Sequence, residues 1–184
     1  MASERNLKVD EKSFQEELQK HQDLSRMVSA GLFKGGLADT NEITIKYHTA
    51  THMLLAALRQ ILSSEIYQKG SNITVERLRF DFNYPQKLTD EQIKKIEDLV
   101  NKKIAENMPV KVSEMPKFEA LNIAKVSFDP SRYGDVVKVY KIDDFSIEVC
   151  GGPHVSKTGE LRHFKIVKEE ASSAGVRRIK AVLE

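Results

Sequence analysis

The spacing of apolar positions along this chain changes several times, and each change marks an element. From Asp10 to Gly31, Phe14, Leu18, Leu24 and Val28 recur at helical spacing. Asp10 offers an N-cap oxygen and Gly31 a stop. Glu16, Glu17, Lys20 and Asp23 form its solvated face, and His21 reads as a surface histidine. The glycine-bearing loop Lys34–Asp39 lacks the Gly-Lys-Ser/Thr ending of a phosphate loop. Residues 1–40 are read as an N-terminal helical appendage and 41–184 as the main domain. Glu42 to Tyr47 reads as a short approach segment. His48 to Leu62, free of Gly and Pro, predicts a strong helix with Met53, Leu54, Ala57, Leu58 and Ile61 on its apolar side.

Further on, Ile66 to Ile73 predicts a strand that turns at Gly70. Arg77 to Asn83 alternates apolar and polar residues, as a half-buried strand does, and Pro85 stops it. Thr89-Asp-Glu-Gln92 has the form of a capping box. The helix it opens turns Ile93, Ile96, Leu99, Val100 and Ile104 inward. Val110 to Val112 reads as a strand, Lys117 to Ala124 as a short helix entered through Pro116, and Ser131 to Asp135 as a turn. Val136 to Ile142 and Phe145 to Val149 form a hairpin around Asp143-Asp144. Leu161 to Lys168 and Gly175 to Leu183 make a last strand pair, joined by residues 169–174. Helices and hairpins without βα alternation predict an α+β fold: a mainly antiparallel sheet with helices packed on one face.

Composition narrows the function classes. The 184 residues are 40% hydrophobic and 30% charged, which suits a globular domain. A net charge of +2 does not by itself argue for nucleic-acid binding. No apolar run approaches the ~20 residues of a membrane helix, and the first residues lack the apolar core of a secretory signal. The single Cys150 cannot form an internal disulfide, which makes a cytoplasmic location the default.

The chemistry concentrates in two short stretches, His48-Thr-Ala-Thr-His52 and Cys150-Gly-Gly-Pro-His154. Each sets two metal-ligand side chains four positions apart. On a helix His48 and His52 share one face near its N-terminal end. Gly151 and Gly152 allow a sharp turn after Cys150, and Pro153 stiffens the approach to His154. Three imidazoles and one thiol suit zinc. The set would join elements about a hundred residues apart, coupling metal binding to folding. A purely structural zinc, or buried histidines bonded in a core with no metal, fits the same residues. Thr49 fills the slot where a His-Glu-x-x-His peptidase carries its general base, which excludes that reading. A catalytic zinc would lower the pKa of a bound water and suit ester or amide hydrolysis. Thr51, Gln68 and Ser71 are the polar candidates for orienting a substrate.

These stretches, with Gln68-Lys-Gly-Ser71, Arg77-Leu-Arg-Phe-Asp-Phe82, Thr158-Gly-Glu160 and Ser173-Ala-Gly-Val-Arg-Arg-Ile179, resemble the editing domain of alanyl-tRNA synthetase. More loosely they resemble free-standing alanyl-tRNA editing proteins and the threonyl-tRNA synthetase editing domain. The resemblance runs from about residue 10 to the end. It implies hydrolysis of the ester joining serine or glycine to alanine tRNA. It also implies zinc on His48, His52, Cys150 and His154, catalytic roles for Gln68 and Cys150, and pocket hydroxyls from Thr51 and Ser71. The synthetase's aminoacylation, tRNA-recognition and oligomerisation regions are not part of the resemblance, so charging of tRNA is not expected. At Arg162-His163 the chain departs from the glycine common in the family. From Lys157 onward, seven Lys or Arg stand against four Glu, and Arg177, Arg178 and Lys180 are candidate contacts to the tRNA backbone. A solvated strand face explains the same three residues.

Overall fold

Asn41 opens the central element of the fold. Its side chain accepts a hydrogen bond from the Thr44 backbone N–H at 2.9 Å, and the helix α1 (Glu42–Ile61) follows. The computed structural model describes residues 13–17, 19, 41–126 and 134–184. In chain order α1 leads to β1 (Gln68–Ile73), β2 (Leu78–Asn83), α2 (Asp90–Ala105), β3 (Val110–Pro116), α3 (Lys117–Ile123), β4 (Lys125–Val126), β5 (Val136–Ile142), β6 (Ser146–Val149), a 3-10 turn (Thr158–Leu161), β7 (Phe164–Ser173) and β8 (Val176–Leu183).

The segment before His48 is helical, because the Asn41 cap overrides the extended preference of Ile43, Thr44 and Ile45. His48 and His52 therefore sit in the N-terminal half of a 20-residue helix rather than in its first turn. Every residue from Tyr47 to Leu58 is buried. A helix buried on all sides is a core element, and α1 packs against β1, β2, β6, α2 and the 3-10 turn.

The strands form two four-stranded sheets, ordered β1-β2-β8-β7 and β3-β5-β6-β4. Pairing is antiparallel except for β4 beside β6. This is the α+β, mainly antiparallel architecture the sequence predicts, with its strands divided between two sheets. In the first sheet Leu78, Phe80 and Phe82 face α1 and form the main core with Met53, Leu54, Leu58, Phe164 and Ile179. A smaller core gathers Ala120, Val137, Val139 and Val149 under α3.

The capping box is present: Gln92 N–H bonds Thr89 Oγ1, and Thr89 N–H bonds Gln92 Oε1. β1 does not turn at Gly70 but runs through it, taking up an irregularity between Gln68 and Gly70. A Cβ at Gly70 would make only ordinary van der Waals contact with the Asp81 carboxylate, at 3.6 Å. β3 reaches Pro116, longer than predicted, because its whole length pairs with β5. Leu161 belongs to the 3-10 turn, and β7 extends to Ser173, so the last hairpin turns at Gly175 with φ +69°. The hairpin at Asp143-Asp144 forms as expected, with Asp143 at φ 42°.

The chain separates into two units, Met1–Phe33 and Lys34–Glu184. In the first, residues 13–17 and 19 are helical. The expected cap at Asp10, the stop at Gly31, His21, the Lys34–Asp39 loop and Ser131–Tyr133 lie outside the described residues. Among those residues no helix is long and apolar enough to cross a membrane.

Candidate metal centre

α1 brings two imidazoles and the loop after β6 brings a thiol and a third imidazole. One ligand atom from each of His48, His52, Cys150 and His154 lies within 4.8 Å of the others. His48, His52 and Cys150 are buried and His154 is half-buried. Cys150 Sγ is 3.3 Å from His48 Nε2. The His48 and His154 rings stack with centroids 4.2 Å apart, and His52 meets both edge-on.

The hydrogen bonds fix which nitrogen faces inward. His48 Nδ1 lies 2.9 Å from the Pro153 carbonyl oxygen. A carbonyl only accepts, so Nδ1 carries the proton and Nε2 presents its lone pair to the cluster. His154 Nδ1 lies 3.1 Å from Thr49 Oγ1. That oxygen also accepts from Val155 N–H and donates to the Ile45 carbonyl, so His154 Nδ1 is again the protonated nitrogen. His154 Nε2 is left buried with no hydrogen-bond partner. Ring nitrogens so held, with the second N–H donated to a protein oxygen, are the arrangement metal-bound histidines use.

Burial holds His48 at about 4, against an upward pull from the Pro153 carbonyl. Burial holds His52 and His154 well below the usual imidazole range, and the mutual repulsion that protonated rings would feel in the cluster, with Arg59 adding to it at His52, lowers them further. The three rings are neutral at pH 7, as metal ligands must be. Burial pushes the Cys150 thiol up to about 12, with the Gly152 and Gly151 backbone N–H groups pulling the other way and Glu148 adding to the rise. Those two glycines present their N–H groups to the sulfur; neither has positive φ, so the left-handed turn expected of them is not used. One thiol, three imidazoles and an orphaned inward nitrogen fit a zinc ion.

Thr49 is the residue the sequence reading set aside. It is fully buried and joins α1 to both His154 and Val155. Its signal is a polar side chain next to His48, informative only once α1 is known to be buried all round. Tyr140 on β5 adds a wall, its ring 4.1 Å from that of His154. The Thr158-Gly159-Glu160 motif fastens the loop. Glu160 Oε1 accepts from Ser156 and Lys157, Thr158 Oγ1 bonds the Lys103 carbonyl and Met108 N–H, and a Cβ at Gly159 would collide with Asn107.

The remaining predicted residues are distributed over three elements. Thr51 is buried on α1, and its hydroxyl donates to the Tyr47 carbonyl at 2.8 Å, within the helix. Gln68 and Ser71 lie together on β1, Gln68 Nε2 donating to Ser71 Oγ at 3.1 Å. On β8, Arg177 sits opposite Phe82, on the core side of the sheet, and pairs with Glu169. Arg178 makes a two-pronged bond to Asp81, and Lys180 pairs with Glu170.

Residues 137–180, from β5 through the Cys–His loop into β8, match the threonyl and alanyl tRNA synthetase second additional domain. Over 184 residues the chain is 55% identical to an alanine–tRNA ligase of Treponema denticola, covering all of this chain and 31% of that protein. The chain is a relative of the alanine–tRNA ligases. An alanine–tRNA ligase of Borrelia hermsii is 52% identical over 183 residues, 31% of its length, and one of Petrotoga mobilis 48% identical over 139 residues, 16% of its length. The chain thus spans about a third of the synthetases it matches most fully. These matches extend over this chain's full length, so they include both the α1 segment and the Cys–His loop.

Proposed function

We propose that this domain hydrolyses the ester linking serine or glycine to alanine tRNA, in the cytoplasm, with zinc held by His48, His52, Cys150 and His154. The observation that carries this reading is the convergence of those four donors, with His154 Nε2 left unpartnered, in a chain related to alanine–tRNA ligases. Bound zinc would supply a Lewis acid and a positive charge beside the ester. Cys150 and Gln68 are the residues we assign to catalysis. Cys150 anchors the loop side of the site, and the Gln68 side-chain carbonyl orients the attacking water. Gln68 Nε2 already donates to Ser71 Oγ, which leaves the Ser71 proton free for a substrate oxygen. Thr51 and Ser71 would recognise the serine hydroxyl. For serine as the substrate, a pocket that hydrogen-bonds its hydroxyl can reject alanine by roughly 10⁴-fold, whereas an apolar synthetic pocket sorts the two poorly.

The test is deacylation of Ser-tRNA(Ala) by the purified protein, with and without a zinc chelator, alongside Cys150→Ala and Gln68→Ala. Turnover lost in the chelated and Cys150→Ala samples, and reduced ~100-fold in Gln68→Ala, supports the assignment. Undiminished turnover by Cys150→Ala contradicts it. A second reading draws on the chain covering only about 31% of its fullest relatives: a zinc-stabilised tRNA-binding module, or a domain that works only with the rest of a synthetase. Tight tRNA binding without turnover favours that reading, as does turnover that appears only when a synthetase chain is added.

A further inference from the structure

The first sheet carries an arrangement that its own stability does not explain. Residues directly opposite on neighbouring strands place their side chains on the same side of a sheet. Arg79 on β2 is opposite Lys180 on β8, and Lys180 is opposite Lys168 on β7. Three cations therefore stand in one row across three strands, on the face turned away from Phe80, Phe82 and α1. Like charges in directly opposed positions destabilise a sheet. The next row on the same face reads Asp81, Arg178, Glu170. Four cations thus share two carboxylates. Arg178 takes both oxygens of Asp81, while Glu170 serves Lys168 at 2.6 Å and Lys180 at 2.9 Å. Arg79 is left worst served: its Nε is 3.8 Å from Asp81 and makes no hydrogen bond.

Lys168 reaches this row through a register shift. Ile166 pairs with Ala181 on the core side, but Lys168, two residues on, pairs with Lys180. An unshifted strand would set Lys168 opposite Ile179 and turn it inward. The extra residue, Val167, sends the lysine to the outer face, and bulges commonly serve to re-aim a side chain.

We propose that this outer face, centred on Arg79, Lys180 and Lys168, grips the sugar-phosphate backbone of RNA. Its charge complements a polyanion, and the row spans about 10 Å at the usual strand spacing, long enough to face more than one phosphate. Arg178 supports the row by neutralising Asp81. Arg177, paired with Glu169 on the core side, is not part of it. Taking the polyanion to be tRNA rests on the function proposed above; the charge row itself does not.

The experiment compares wild type with Arg79→Gln, Lys168→Gln, Lys180→Gln and the triple variant, using Lys94→Gln on α2 as an off-face control. Each is tested for binding to a tRNA transcript across a salt series and for Ser-tRNA(Ala) deacylation, with melting temperature as the folding check. Each lost phosphate contact lowers the slope of log K against log salt by about 1. The triple variant, folded, is expected to lose two to three units of slope and roughly 10-fold or more in affinity. In deacylation its KM rises and kcat holds, and Lys94→Gln behaves as wild type. Folded single variants with wild-type slope and KM overturn the proposal, even where the wild type deacylates and the functional reading stands. If wild type binds tRNA through this face but never deacylates, the functional reading falls and the surface assignment stands.

Discussion

At the scale of single residues, Thr49 supports the cluster from behind the ligands. Its oxygen orients His154 and satisfies the Val155 N–H. Thr49→Val keeps the volume and removes both bonds. It is expected to weaken zinc affinity by about 10- to 100-fold and to destabilise the fold by about 1–3 kcal/mol. Competition with a chromophoric chelator reads the first effect; unchanged affinity would make the Thr49–His154 contact incidental. A second prediction concerns Glu170. The hydrogen bonds from Lys168 and Lys180 hold its carboxyl at about 2, below the ordinary 4.5. A depressed carboxyl contributes stability in full above its unfolded value and loses that contribution as pH falls toward the folded one, here from 4.5 to about 2. An NMR titration of the Glu170 side-chain carbon should give a midpoint near 2; a midpoint near 4.5 means the shared bonds do not persist in solution.

At the scale of elements, the site is where a buried helix meets the loop after β6. Arg59 helps hold them in place. Near the end of α1 it pairs with Glu148 on β6, two residues before Cys150, and its Nε donates to the Ile66 carbonyl. The Glu148 side chain is only 1% exposed, so removing Arg59 takes an ion-pair partner from a buried carboxylate. Arg59→Ala is expected to cost about 3–5 kcal/mol, read as a lower urea midpoint with unchanged slope. A loss below 1 kcal/mol would mean water replaces the guanidinium. Asn41→Ala, at the other end of α1, should cost about 1 kcal/mol through the lost cap. These elements also show what local pattern can reveal. The capping box, the hairpin at Asp143-Asp144 and the alternation around Phe80 and Phe82 were legible because each is set by residues adjacent in the chain. The helical start at Glu42, in what reads as a short approach segment, was not: Ile43, Thr44 and Ile45 are weak helix formers, and the Asn41 side chain supplies the cap.

At the scale of the whole molecule, metal and core contribute separately. The main core, with Phe80, Phe82, Phe164, Leu54 and Leu58, is apolar and includes none of the four ligands. Chelation is therefore expected to lower the melting temperature by several degrees while leaving the far-ultraviolet circular dichroism at 25 °C unchanged, and added zinc should restore it. Loss of the helical signal on chelation would instead put this domain with zinc fingers, which unfold without metal.

The α+β class, most of the elements, and the identity and spacing of the four ligands were legible in the chain before it folds. Those properties reside in residue types and short separations, which side-chain chemistry and backbone period govern directly. Tertiary structure alone decided that α1 is buried all round, which turns Thr49 from a bystander into a support. It also decided that Arg177 faces the core while Lys168, shifted by one extra residue, joins Arg79 and Lys180 outside. Strand register relates residues far apart in the chain, and a slip of one position exchanges the two faces of a strand, so no local pattern could have assigned them.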